Sequence, residues 1–182
     1  MIQFLESTEL FQDKLKSLDS IYPYNVGLHQ PITFWGSIVL SKYPLHNIEV
    51  SENHVVKANL LTNENEFRII ATHILPGGTQ NHYNSALAQM EFLEKEFSQP
   101  HQNVILMGDL NMTAYSKRFI NFLKATHLYT YTSLKHHTFT WPVFLPYFFG
   151  IQIDHVLFSD NIRMINKKIS KSFGSDHRPL IV

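Results

Sequence analysis

The run "NVILMGDLNM", Asn103 to Met112, restricts the fold more than any other part of the chain. Its first half has no polar face to offer water, so it reads as a strand covered on both sides. It then stops abruptly on "GDLN". Helical patterns flank it. Upstream, Asn81 to Phe97 sets Ala86, Met90, Leu93 and Phe97 along one side, while Glu91, Glu94, Lys95 and Glu96 mostly avoid that side. Downstream, "SKRFINFLKATHL" predicts a helix with Phe119, Ile120 and Leu123 turned inward.

The remaining pattern is rich in strands. "IQFL" reads as a buried strand, after which Ser7 or Thr8 caps a helix bearing Leu10, Phe11, Leu15 and Leu18 and ending at "YPY". "WGSIVLS" is a strand closed by "KYPL". "HVVKANLLT" and "EFRIIATHI", separated by "NEN", form a hairpin, and "PGG" breaks the chain after it. "TFTW", "IQIDHVLF", "IRMINKKIS" and "PLIV" complete the β content. Two strand-rich halves that each carry helices predict an α/β sandwich, and hairpins mixed with strand–helix units make its sheets mixed. No repeat, linker or low-complexity segment divides residues 1–182, so a single domain is expected.

Composition narrows the function. The chain has 182 residues, 44% hydrophobic and 16% charged, which suits a globular core. Formal net charge is zero, whereas proteins that hold nucleic acid by bulk electrostatics are basic. Positive charge must then be local. Arg163, Lys167, Lys168, Lys171 and Arg178 follow Asp160 against only Asp176, either as a phosphate-steering face or as a lysine-protected strand edge. The absence of cysteine excludes disulfides, thiol catalysis and Cys-based zinc sites. "MIQFLE" shows no signal peptide. "WPVFLPYFFGI" is too short to span a bilayer and is broken by Pro142 and Pro146, so the chain reads as soluble, with its compartment and oligomeric state left open.

Four acids stand where apolar strands stop: Glu6, Asp109, Asp154 and Asp176. Such a placement is costly unless the carboxylates meet a cation or a proton partner, and magnesium, which takes hard oxygen ligands, suits them. Of 11 histidines, His73 ends the strand "RIIATH" and His177 directly follows Asp176. An imidazole held by a carboxylate can protonate a leaving oxygen or clamp a phosphate. His155 falls on the opposite face of its strand from Asp154 and reads as structural. Taken singly, each motif has a plain reading: "GDLN" as a turn, "SDH" as a strand-entry loop, Asp154 as a satisfied buried acid. A zinc hydrolase is suggested only by histidine abundance, without a spacing such as H-E-x-x-H.

Together and in order, "FLE", "GSIVLSKYPL", "ATHILP", "GDLNMTAYS", "TFTWP", "IDHVLFS" and "GSDHRP" make the chain resemble the endonuclease/exonuclease/phosphatase superfamily, which shares the pancreatic deoxyribonuclease fold. The "TFTWP…IDHVLFS…GSDHRP" finish is similar to a bacterial subgroup of unassigned substrate. The resemblance implies a four-layer α/β/β/α sandwich, two mixed sheets face to face with helices outside. It implies magnesium, with manganese as an alternative, held by Glu6 and Asp176. It implies that Asp109 orients or activates water, that Asn111 contacts the phosphoryl oxygens, that Asp154 fixes His177 against the scissile phosphate, and that His73 is the second histidine. The implied function is metal-dependent cleavage of a phosphoester by water, of phosphodiesterase or nuclease type. The substrate is then a nucleic acid, a lipid head group or a small phosphate ester. Measured against that pattern the first strand is absent before Glu6, so an N-terminally truncated domain is expected. Its alternatives are a catalytically weakened, non-enzymatic binding module, or a domain that is membrane-tethered within a longer parent.

The uncharged stretch 141–150 has two readings. It is a loop folded over a core edge, or an apolar rim with Phe148 and Phe149 exposed that admits a lipid-like substrate or touches a membrane surface.

Overall fold

The computed structural model describes residues 17–27, 36–51, 55–131, 138–146, 149–172 and 174–182. The expected strand over "IQFL", Glu6, and most of the helix carrying Leu10 to Leu18 lie outside these residues; Leu18 itself sits in a 3-10 turn, Ser17–Ser20. A short ladder pairs β1, Tyr24–Val26, with β2, Val39–Ser41. The main sheet holds β3, Leu45–Val50, β4, Val55–Leu61, β5, Glu66–His73, β6, Val104–Asp109, and β7, Asp154–Phe158, in that spatial order. A second short ladder pairs β8, Lys168–Ile169, with β9, Leu180–Ile181.

The sheet is mixed for reasons visible in its connections. The four-residue turn Thr62–Asn65 closes β4 on β5 as an antiparallel hairpin. From β5 to β6 the chain crosses through the helix α1, Gln80–Glu96, and so returns parallel. Thr79 caps α1 by accepting the His82 N–H, and Ser116 caps α2, Lys117–Thr126, by accepting the Phe119 N–H.

Both helices cover one face of the sheet. Ile70, Leu106 and Leu157, one from each of three neighbouring strands, pack with Ala86, Met90, Leu93 and Phe97 of the first helical segment and with Phe119 and Phe122 of the second. Each of these large side chains gains about 1.5–3 kcal/mol from leaving water. On the opposite face Val56, Ala71 and Met107 pack against Val26 and Val39 of the β1–β2 ladder. The last five residues of β5, Ile69 to His73, are therefore buried whichever way they point. Helices on one face and a β ladder on the other make this an α/β sandwich, as the sequence implies.

Four details differ. "TFTW" forms no strand: only Trp141 pairs, in an isolated bridge with Ile151. The strand β3 is not predicted by "LHNIEV": it is the sheet's edge, largely exposed, and a register shift between His46 and Glu49 breaks its alternation. Only Lys168 and Ile169 of "IRMINKKIS" pair in a ladder. In α2 the inward residue is Phe122, whereas Ile120 is exposed, because the helix buries the i, i+3 pair Phe119 and Phe122.

Candidate active site

The site is built by strand register. His73 ends β5 opposite Asp109, which ends β6, and Asp109 faces Asp154, which begins β7. Residues opposite one another across a ladder share a face and stand about 4.5–5.5 Å apart. One imidazole and two carboxylates thus line up in a row at the sheet's end. His177 reaches the row from the loop before β9.

Asp109 is at the centre and is buried. Its Oδ1 accepts the Asn111 backbone N–H at 2.8 Å. Asn111 has φ 48, a left-handed conformation that asparagine tolerates. The turn reading of "GDLN" is therefore correct, and the turn leaves Oδ2 directed elsewhere. Oδ2 lies 3.7 Å from His73 Nε2 and 3.8 Å from His177 Nε2. Asp154 Oδ2 bonds His177 Nδ1 at 2.8 Å, which fixes the ring with Nε2 turned towards Asp109. The Asn111 amide donates to the Ile74 carbonyl at 2.7 Å and lies 3.4 Å from His73 Nε2.

The electrostatics follow from crowding. Burial first, and then the Asp154 charge, push the Asp109 carboxyl up to about 7; Asp176 adds to them, while the Asn111 N–H and His177 pull the other way. Burial opposes a charge on His177, but the hydrogen bond to Asp154 and the charges of Asp154, Asp109 and Asp176 outweigh it, so its pKa sits above the ordinary imidazole value. Asp109 with its neighbours Asp154 and Asp176 forms an oxygen-rich donor set suited to a hard divalent cation. Asp109, Asp154 and His177 each offer an atom within 4.8 Å of the others.

The structure thus brings His73, Asp109, Asn111, Asp154 and His177 together. Asp176 stands beside them, exposed, its Oδ2 accepting the Trp141 indole N–H at 3.2 Å. Glu6 lies outside the described residues. His155, opposite in facing to Asp154, is fully buried against Phe119, with its Nε2 2.7 Å from the Met112 carbonyl oxygen. Burial pushes its pKa down to about 4, so it is a neutral core residue near physiological pH.

Two residues near the site have contacts that the sequence reading did not assign: Trp141, through its bond to Asp176, and Arg178, read there only as part of the basic tail. The Arg178 guanidinium donates to the carbonyls of Pro142, Val143 and Leu145 at 3.2, 3.0 and 3.1 Å. Its backbone N–H donates to Thr140 O, and the Val143 N–H donates to Asp176 O. The loop with Asp176 and His177 is thereby sewn to 140–145. Only adjacency of "HRP" to "SDH" hinted at this. The basic tail is correspondingly smaller than its count suggests. Arg178 faces carbonyls, and half-buried Lys167 donates to Tyr131 O and Gln152 Oε1, its pKa pushed down to about 8 by burial.

The fold is an α/β sandwich with an acid–imidazole row at the ends of three neighbouring strands, β5, β6 and β7. Residues 6–177 match the sequence model of the Endonuclease/Exonuclease/phosphatase family, and the chain belongs to that family of phosphoester hydrolases. Solved structures share the fold. A double mutant of beta toxin from Staphylococcus aureus with bound magnesium ions is 17% identical (TM-score 0.61), covering 91% of this chain and 79% of its own. Sphingomyelinase C from Streptomyces griseocarneus is 17% identical (TM-score 0.60), over 92% and 80%. A 3'-5' exonuclease from Neisseria meningitidis is 17% identical (TM-score 0.59), over 79% and 72%. No curated protein sequence matches the chain. Among the described residues no helix is long and apolar enough to cross a membrane.

Proposed function

We propose that the chain cleaves a phosphodiester by attack of water on phosphorus. The observation that carries this reading is the position of Asp109 Oδ2, 3.7 and 3.8 Å from two imidazole Nε2 atoms, one of them fixed by Asp154. Asp109 takes the proton of the attacking water; a carboxyl near 7 is matched to that task at neutral pH. His177, held by Asp154, donates from Nε2 to a phosphoryl oxygen and offsets the charge that develops there. Asn111 contacts another phosphoryl oxygen through its amide. His73 donates a proton to the leaving oxygen. Magnesium or manganese suits this oxygen-rich donor set, with Asp176 and, by the family resemblance, Glu6 as the residues that would hold it; when bound, it would supply charge neutralisation at the phosphoryl oxygens. The magnesium ions of the staphylococcal beta toxin structure support the choice of ion.

The assay is hydrolysis of bis(4-nitrophenyl) phosphate with magnesium. Asp109→Ala and His177→Ala each lower the rate by roughly a hundredfold or more, and the double variant falls short of the product, because both groups serve one transition state. Unchanged turnover in either single variant rejects the assigned role.

A second reading concerns the substrate, and the 141–150 loop favours it. Phe144 is 77% exposed and Phe149 65% exposed, with the loop's root bonded to Asp176 and Arg178. Phe148 lies outside the described residues. An aromatic, uncharged projection beside the phosphate site suits a lipid head group at a membrane surface better than a nucleic acid backbone. The sphingomyelinase among the similar structures points the same way.

A further inference from the structure

The helix α1 buries one polar side chain among its apolar ones. Gln89 follows Ala86 by three residues and precedes Met90 and Leu93, and it is 2% exposed. Burying an amide is costly unless both ends are bonded. Here both are. Its Oε1 accepts the Leu75 N–H at 3.0 Å and its Nε2 donates to the His73 carbonyl at 3.0 Å.

Sheet geometry explains why the bonds fall there. Among the described residues the β4–β5 pairing runs as far as Val55 opposite Thr72, one residue before His73. An adjacent strand would receive the Leu75 N–H and donate to the His73 carbonyl. The Gln89 amide makes that same pair of bonds from the helix. On the other side, Asp109 O accepts the Ile74 N–H, and Asn111 donates to the Ile74 carbonyl. The backbone from His73 to Leu75 is thus held from both flanks where β5 leaves the sheet.

We propose that Gln89 is a positioning residue for His73: it sets the imidazole against Asp109 by fixing the backbone on either side of Ile74. This rests on His73 serving the leaving oxygen, the reading given above. Gln89→Met keeps length and volume but removes both bonds, leaving the strand end free to drift. Misplacement of a reacting group by about 1 Å costs on the order of a hundredfold.

The test is a double-variant cycle on thymidylyl-(3'→5')-thymidine with magnesium, a phosphodiester whose alkoxide leaving group needs a proton, using Gln89→Met in the parent and in His73→Ala. In the parent, kcat falls roughly ten- to a hundredfold with KM unchanged. In His73→Ala, Gln89→Met causes no further loss in kcat, while lowering Tm by the same amount in both backgrounds. An equal kcat loss in both backgrounds shows general support of the fold and overturns the proposal, as does no loss in the parent. If His73→Ala alone leaves the rate unchanged, the role of His73 fails, and the clamp with it; that result is distinct from the other two. A readout independent of turnover is the imidazole Cε1–H resonance of His73, which shifts and broadens in Gln89→Met; an unmoved resonance overturns the proposal. Should Gln89→Met not fold, Gln89→Asn replaces it: its amide is one methylene too short to reach both Leu75 and His73, and the same background-dependent loss is expected.

Discussion

Acidifying the protein should unload one specific debt of burial, at His155. That imidazole stacks on Phe119 and bonds the Met112 carbonyl through Nε2, while Gln152 Nε2 lies 3.4 Å from its Nδ1. Donation from Gln152 to Nδ1 and from Nε2 to Met112 describes a neutral ring with no place for a second proton. Its pKa is about 4 in the folded chain against 6.5 for a free histidine. The unfolded chain therefore binds a proton that the native chain refuses, and His155 makes stability fall as pH drops from 6.5 towards 4. For these two pKa values the loss between pH 7 and pH 5 is about 2 kcal/mol, a substantial part of a typical folding free energy of about 5–15 kcal/mol. Asp109 and His177, whose pKa values are raised on folding, act with the opposite sign, so the slope of the parent alone is not diagnostic. The comparison is with His155→Gln, which keeps a donor for Met112 but cannot titrate. In urea, with a slope of about 2 kcal/mol per M, the parent's midpoint should fall by about 1 M more than the variant's between the two pH values. Equal falls would show that His155 accepts its proton in the native state, and the neutral-core reading would be wrong.

Two further outcomes follow from the site and its rim. Magnesium should raise Tm in a concentration-dependent way by relieving repulsion among Asp109, Asp154 and Asp176, and Asp109→Asn should raise Tm without magnesium while abolishing hydrolysis; calorimetry with and without EDTA checks both, and a Tm indifferent to magnesium counts against the cation site. Replacing Phe144 and Phe149 with Ser should weaken co-sedimentation with phosphatidylcholine–phosphatidylserine vesicles with Tm nearly unchanged, whereas a large drop in Tm would make the loop core.

The parts of this fold that depend on uniform or periodic burial are legible in the sequence. "NVILM" announces β6 by its unbroken apolar run, although Ile105 and Met107 on one face are only partly covered, and Ala86, Met90, Leu93 and Phe97 announce α1 by spacing. The candidate site is legible for a related reason: Asp109 ends one apolar strand, Asp154 begins another, and His177 adjoins Asp176. What escaped is decided by tertiary context. The strand β3 exists because β4 needs a neighbour, not because "LHNIEV" alternates. Lys167 looks like one more surface cation, yet it is half-buried against carbonyl oxygens. Gln89 carried a usable signal, a polar residue three positions from Ala86 on an apolar stripe, but its meaning required knowing that its amide meets the backbone of His73 and Leu75.

The seam between Arg178 and segment 140–145 has a consequence for how such a domain diversifies. Arg178, and Asp176 through its carbonyl, grip main-chain atoms: four carbonyls and one N–H. None of these bonds reads the side chains of Val143, Phe144 or Leu145. The attachment is therefore indifferent to what the rim displays and strict about how many residues form it. Point substitutions can change the rim's chemistry from greasy to charged while Asp176 and His177 keep their places; a single inserted residue would slide the carbonyls out of the guanidinium's reach. Variation by replacement is open to this loop, and variation by length is closed.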